Sequence, residues 1–184
     1  MLPFLGKRKK RYVIIIAEQA GNLSFTRAKL FNGPVKEIRK SVSGDRLHGI
    51  NCFVFHDVYN VPTSPSTVYE LYNGFLGAVT AFSWDHLQKI NGASNIFYGW
   101  GGEDDEFSIG LRLTNITVDR PLKIGGIFEE FDPNHPRDIN ADRVYLIAKK
   151  NATSRWKNDG IKQTRYKLLC RIDYDLFVWI LVSI

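Results

Sequence analysis

The chain is poor in cysteine, with two, Cys52 and Cys170, in 184 residues. Two thiols do not make a disulfide framework, so the fold must rest on a packed core. Long hydrophobic runs are missing too: the longest, residues 12–17 and 176–184, fall short of the ~20 residues that span a bilayer. Met1-Leu2-Pro3-Phe4-Leu5-Gly6 does not read as a signal peptide, because its apolar part is short and precedes the charges. There is no internal repeat and no low-complexity linker. A net charge of +6 and the run Lys7-Arg8-Lys9-Lys10-Arg11 suggest nucleic acid or an anionic membrane surface. No aromatics alternate with those basic residues and no nucleic-acid motif follows. The run therefore reads as a solvated segment ahead of a strand.

What is present is the balance of a globular domain, 44% hydrophobic and 24% charged, long enough for a sizeable core. Tyr12-Val13-Ile14-Ile15-Ile16-Ala17 is continuous and β-branched, as in a strand buried on both faces of a parallel sheet. Residues 25–32 have helical spacing, Gly33-Pro34 interrupts it, and a helix resumes over 35–41. Cys52-Phe53-Val54-Phe55-His56 predicts a second buried strand, ending in Asp57-Val58-Tyr59. Strand, helix, strand, with polar residues after each strand, is the doubly wound α/β plan, whose ligands bind beyond the strands' carboxyl ends.

Residues 77–82 predict a strand, and residues 83–92 a helix with Ser83 as N-cap and Gly92 at its close. A helix follows over 106–113, then a short strand at 118–121 stopped by Pro121. Residues 123–142 read as irregular and residues 149–160 as a polar helix. Two final strands, 165–172 and 175–184, form a hairpin around Asp173-Tyr174.

The most informative stretch is Phe97-Tyr98-Gly99-Trp100-Gly101-Gly102-Glu103-Asp104-Asp105-Glu106. Four consecutive carboxylates repel one another and need water, a cation or a hydrogen-bonding ligand. Trp100 offers a flat face for a sugar ring, and a carboxylate can act on a sugar hydroxyl as acceptor or general base. The plainer reading is an acidic helix start, with acids at the positive end of the helix dipole. Both hold for a loop that feeds a helix with the acids at its mouth.

Tyr98-Gly99-Trp100-Gly101-Gly102-Glu103-Asp104-Asp105 resembles the Trp-Gly-Trp-Gly-Gly-Glu-Asp-Asp signature of the β-1,4-galactosyltransferases (glycosyltransferase family 7). Other blocks match that family in the same order. Phe25-Thr26-Arg27-Ala28-Lys29-Leu30 resembles its Phe-Asn-Arg-Ala-Lys-Leu block, and Cys52 to Val58 the strand leading to its Asp-Val-Asp metal motif. Residues 71–81 resemble its Tyr-Phe-Gly-Gly-Val-Ser-Ala segment, and His135-Pro136-Arg137-Asp138 its His-Ser-Arg-Asp block.

The resemblance implies an α/β fold of the GT-A nucleotide-diphospho-sugar transferase type, a mixed sheet with flanking helices, in one domain over 1–184. Residues 1–70 would serve the nucleotide sugar and 71–184 the acceptor. It implies transfer of galactose or N-acetylgalactosamine from a UDP-sugar to a glycan acceptor, with inversion and a β-1,4 linkage. Asp104 would be the base. Phe25, Arg27, Asp57, Val58, Phe75 and Trp100 would contact the donor. Tyr72, Trp100, Gly102, Glu103, Asp104, Asp105 and Arg143 would contact the acceptor. The cofactor would be Mn2+, on His135 with Asp132 and Asp57.

Departures pull the other way. Tyr59 stands where the family's second metal aspartate lies, and a neutral phenol is a poor ligand for a hard divalent cation. Phe75 stands where the family has the Tyr that helps choose the donor. The family's disulfide partner for Cys52 falls at Leu71, which implies a free, buried thiol. The family's first strand and its uridine-holding Pro-Phe-Arg motif are not matched, so an N-terminally truncated domain is expected, whose membrane anchor would lie upstream of Met1. An inactive relative that keeps sugar binding is the alternative. Family members are Golgi type II membrane proteins, so the sequons at Asn22, Asn115 and Asn151 would matter in that setting.

Overall fold

The computed structural model describes residues 11–62, 76, 79–118, 128–132, 134 and 137–184. In chain order the elements are β1 (Ile14–Gln19), α1 (Arg27–Lys40), β2 (Cys52–His56), β3 (Asn60–Pro62), β4 (Val79–Ser83) and α2 (Trp84–Ile90). Then come α3 (Glu103–Leu113), β5 (Phe128–Glu130), α4 (Arg143–Ile147), α5 (Lys149–Arg155), β6 (Lys167–Asp173) and β7 (Phe177–Ser183). The predicted strand at 118–121 lies outside the described residues except for Val118, which is irregular.

Sheet topology is mixed. β7 is the middle of a three-stranded sheet, parallel to β1 and antiparallel to β6. Its Val178, Ile180 and Val182 are fully buried, so one face of this last strand supplies the centre of the core. β6 and β7 form the expected hairpin, closed by Tyr174 N–H donating to the Phe177 carbonyl at 2.9 Å.

The doubly wound expectation fails at β2. Its register is with β4, antiparallel, and only Phe53 and Phe55 face inward while Cys52 and Val54 are exposed. That alternation is what one solvated sheet face requires. It also corrects the buried thiol: Cys52 is free, as expected, but exposed. β1 is likewise not buried on both faces, since Ile16 is exposed, and among the described residues β7 is its one partner strand. β5 pairs antiparallel with β3, inside a stretch expected to be irregular.

α1 runs unbroken through Gly33-Pro34, where an interruption was expected. Proline removes one backbone donor and crowds the preceding turn. Burial outweighs that cost here: Asn32, Gly33, Pro34 and Val35 are all buried, and Gly33 lies against the Tyr166 ring. α2 matches its predicted limits. Ser83 Oγ accepts from His86 N–H, and Asn91 closes the helix in the left-handed region with Gly92 after it.

A set of rings then fixes where the helix ends meet. Phe31 of α1 stacks on Phe55 of β2 with centroids 4.3 Å apart. Phe55 lies 5.7 Å from Phe82 of β4, and Phe82 lies 5.4 Å from Phe107 of α3. Each such pair contributes about 0.5–1.5 kcal/mol beyond burial. Together they bring the amino ends of α1 and α3 to the same end of β2.

Candidate active site

Arg27 opens α1, and its guanidinium lies 4.7 Å over the Phe31 ring one turn later. From that position it reaches three carboxylates. Nε and one terminal nitrogen donate to Asp57 at 2.8 and 3.1 Å, and the other donates to Asp104 at 2.7 Å. Glu103 Oε1 stands 3.5 Å from the same nitrogen. Asp57 follows β2 directly, and the Tyr59 hydroxyl donates to it at 3.3 Å. Burial pushes the Tyr59 phenol up to about 12, and the Asp57 charge adds to it.

The four acids separate by rotation around α3, which begins at Glu103, three residues earlier than expected. Glu103 is buried beneath the loop, and among the described residues its Oε2 has no hydrogen-bond partner. Asp104 turns to Arg27, and Asp105 is exposed. Glu106 is buried and bonds Arg155 through both oxygens, at 3.2 and 3.0 Å. Burial raises the pKa of Asp104, which Arg27 partly offsets, and burial followed by the Asp104 charge raises that of Glu103. Arg155 completes this arrangement and was missed in the sequence. Helical spacing from Glu103 would have shown that Glu106 faces away from Asp104.

Trp100 sits on a loop held at both ends. Gly99 N–H donates to the Phe25 carbonyl at 2.7 Å, Trp100 N–H to the Asp138 carbonyl at 2.6 Å, and Asn140 N–H to the Trp100 carbonyl at 3.0 Å. Gly99 has φ of +62°, and a side chain there would strike the Asp138 carbonyl. Gly102 has φ of +98°, and its Cβ would come within 2.6 Å of the Phe97 ring. Gly102→Ala is therefore expected to shift the start of α3 and destabilise the loop, read as a lower urea midpoint. The Trp100 ring is 43% exposed, and the guanidinium carbons of Arg137 and Arg143 lie 5.5 and 5.6 Å from its centroid. Among the described residues, one buried terminal nitrogen of Arg143 has no hydrogen-bond partner. A sugar stacking on Trp100 must share the ring with these cations.

The predicted site residues thus divide. Arg27, Asp57, Glu103 and Asp104 come together, and Trp100, Gly102 and Arg143 form an adjoining group. Phe25 joins through its carbonyl while its ring is half-exposed. Val58 is 89% exposed and touches neither group through any described contact. Asp105 and Asp132 are exposed. Tyr72, Phe75 and His135 lie outside the described residues.

The described donors do not fit a divalent cation. Asp57 is held in two bonds by Arg27, and the neighbouring position is a phenol rather than a carboxylate. Among the described residues, no group of three His, Cys, Asp or Glu side chains could hold a metal ion. The three carboxylates converge on the guanidinium of Arg27.

The chain as a whole resembles known proteins. Residues 1–72 match the N-terminal region of glycosyl transferase group 7, and residues 61–134 match a family described as the N-terminal domain of galactosyltransferase. Human β-1,4-galactosyltransferase 4 is 34% identical over 98% of this chain and 56% of its own length. The Cricetulus griseus protein of the same name is 34% identical over 91% of this chain and 52% of its own. This chain therefore spans about half the length of these curated relatives. Among solved structures, a mutant Drosophila β-1,4-galactosyltransferase 7 in complex with manganese, UDP-Gal and xylobiose superposes with a TM-score of 0.78. The match is 21% identical and covers 98% of this chain and 83% of that one. The fold is accordingly that of the GT-A glycosyltransferases, an α/β domain with a mixed sheet and flanking helices. Within that class, the chain belongs to the β-1,4-galactosyltransferase family.

Proposed function

We propose that this chain is a catalytic domain that transfers galactose from UDP-galactose to a glycan acceptor, forming a β-1,4 linkage. Residues 1–70 serve the donor and residues 71–184 the acceptor. The observation that carries this reading is Arg27 held between Asp57 and Asp104 beside the Trp100 loop. Asp104 takes the proton from the acceptor hydroxyl. That oxygen bonds to the anomeric carbon as the bond to the diphosphate breaks, the electron pair leaves with UDP, and the configuration inverts. A carboxylate whose pKa is raised by burial is a better base near neutral pH than an ordinary aspartate. Arg27 offers the cation for the departing diphosphate when its bonds to Asp104 are exchanged.

Trp100 and Arg143 supply the acceptor platform, with Asp105 as hydrogen-bond acceptor and Gly102 allowing close approach. Phe25 and Val58 border the nucleotide. Phe75 bears on the choice between galactose and N-acetylgalactosamine. Manganese, with His135, Asp132 and Asp57, is the family's expectation; the described donors do not support it, and no step here uses it. A Golgi lumenal setting is part of the proposal. Among the described residues no helix is long and apolar enough to cross a membrane. The second reading, a relative that binds sugar without transferring it, is favoured by one observation, the commitment of Asp57 to both Arg27 and Tyr59.

Isothermal titration of UDP tests the proposal. UDP is expected to bind, with little added by manganese, and Tyr59→Asp is expected to make that binding respond to manganese. No heat from a folded sample in either condition would sink the transferase reading.

A further inference from the structure

We infer that Asn115 is a site of N-linked glycosylation, an inference that rests on the lumenal setting proposed above. The sequence offers three sequons, Asn22-Leu23-Ser24, Asn115-Ile116-Thr117 and Asn151-Ala152-Thr153, and the fold treats them differently. Asn115 lies just past α3, in the left-handed region with φ of +53°. Ile116 N–H donates to the Leu111 carbonyl at 3.0 Å, closing the helix, and the Ile116 side chain packs against the core. That anchor fixes the turn and leaves Asn115 and Thr117 exposed on either side of it. Asn is among the few side-chain-bearing residues that adopt this backbone conformation readily. The Asn115 side chain makes no hydrogen bond to the described residues.

Asn151 is the contrast. It lies inside α5, half-buried, and its amide nitrogen donates to the Tyr145 carbonyl at 2.8 Å. The next residue, Ala152, is fully buried. A glycan on Asn151 would break that bond and crowd the packing of α5. Asn22 is exposed, but its loop is tied down: Gln19 Nε2 donates to the carbonyls of Leu23 and Ser24 at 2.9 and 3.2 Å. The same loop leads into Phe25, whose carbonyl anchors Gly99 beside Trp100, so a glycan there would stand at the mouth of the site.

Position also favours Asn115. Asp104 and Asn115 stand at opposite ends of α3, about 16 Å apart at 1.5 Å per residue. A glycan at the far end leaves the Trp100 loop and Arg27 open. In the modifying step, the Asn115 amide nitrogen bonds to the anomeric carbon of an oligosaccharide carried on a polyisoprenyl diphosphate. The amide gives up one proton and the lipid diphosphate leaves.

The test is expression of the full chain behind an added signal peptide in cells with a eukaryotic secretory pathway. Peptide mapping of the secreted, folded protein after N-glycosidase treatment then reads each sequon. The Asn115 peptide is expected to be deamidated by the enzyme and the Asn151 peptide unchanged. Asn115→Gln and Thr117→Ala should each remove one glycan's mobility shift, and the second leaves the left-handed Asn in place. Secreted protein with an unmodified Asn115, or with the glycan on Asn151 instead, overturns the inference. UDP titration is read separately, so failure here is distinct from failure of the transferase reading.

Discussion

Asp104→Asn is expected to lower galactosyl transfer by about 10²–10⁴-fold, the usual contribution of a general base. The amide keeps the shape of the carboxylate but cannot accept the acceptor's proton. UDP affinity should change far less, because Asp57 still holds Arg27 by two bonds. The pH profile gives a sharper check. Burial raises the pKa of Asp104 above the ordinary aspartate range. The wild-type rate should therefore rise with pH through that raised value, since only the ionised form is a base. In Asp104→Asn that rise should be absent. A variant that keeps the wild-type rate and profile would remove Asp104 from the chemistry.

The second large effect concerns stability. Glu106→Ala is expected to cost about 3–5 kcal/mol, as when one partner of a buried ion pair is removed. Both partners are largely shielded, with side chains 6% exposed for Glu106 and 14% for Arg155. Arg155 also donates to the Leu146 carbonyl at 2.6 Å and lies over the Phe97 ring. The pair thus ties α3 to α4, α5 and the loop before Trp100. Urea unfolding of the variant measures the loss. Glu106→Leu with Arg155→Met should recover much of it, because a buried pair replaced by apolar groups of similar volume is often tolerated. An unchanged urea midpoint for Glu106→Ala would show that water reaches the pair freely.

Local signals carried the helices well where their ends were chemically marked. Ser83 and Gly92 bracket α2 because a hydroxyl cap and a left-handed close are short-range chemistry. The acidic stretch was legible as a helix start for the same reason, although its length was not. Proline's effect on α1 could not be judged locally, because burial against Tyr166 decided it. Strand partners were least legible. The alternation in Cys52 to His56 is hidden because Val54 and Cys52 are apolar yet face outward. β5, three residues long, exists only through its pairing with β3, a contact across 66–70 positions. Among the candidate residues, Arg27 and Asp104 were singled out by their motif blocks and lie in contact, whereas Arg155 carries no local signature and is read only from the fold.

The position of β7 sets the order in which the protein can be made. β1 is the first described strand, and its partner in the sheet is β7, the last described strand. During synthesis β1 leaves the ribosome long before the residues it pairs with. The apolar residues that later meet Val178, Ile180 and Val182 stay uncovered until β7 has been made. Parallel pairing over such a span also closes slowly. A stop codon in place of Phe177 would remove Phe177–Ser183 and with it the centre of the sheet. Truncation before β7 should therefore act as loss of the whole domain, by aggregation of the nascent chain, though no residue of the candidate site is removed.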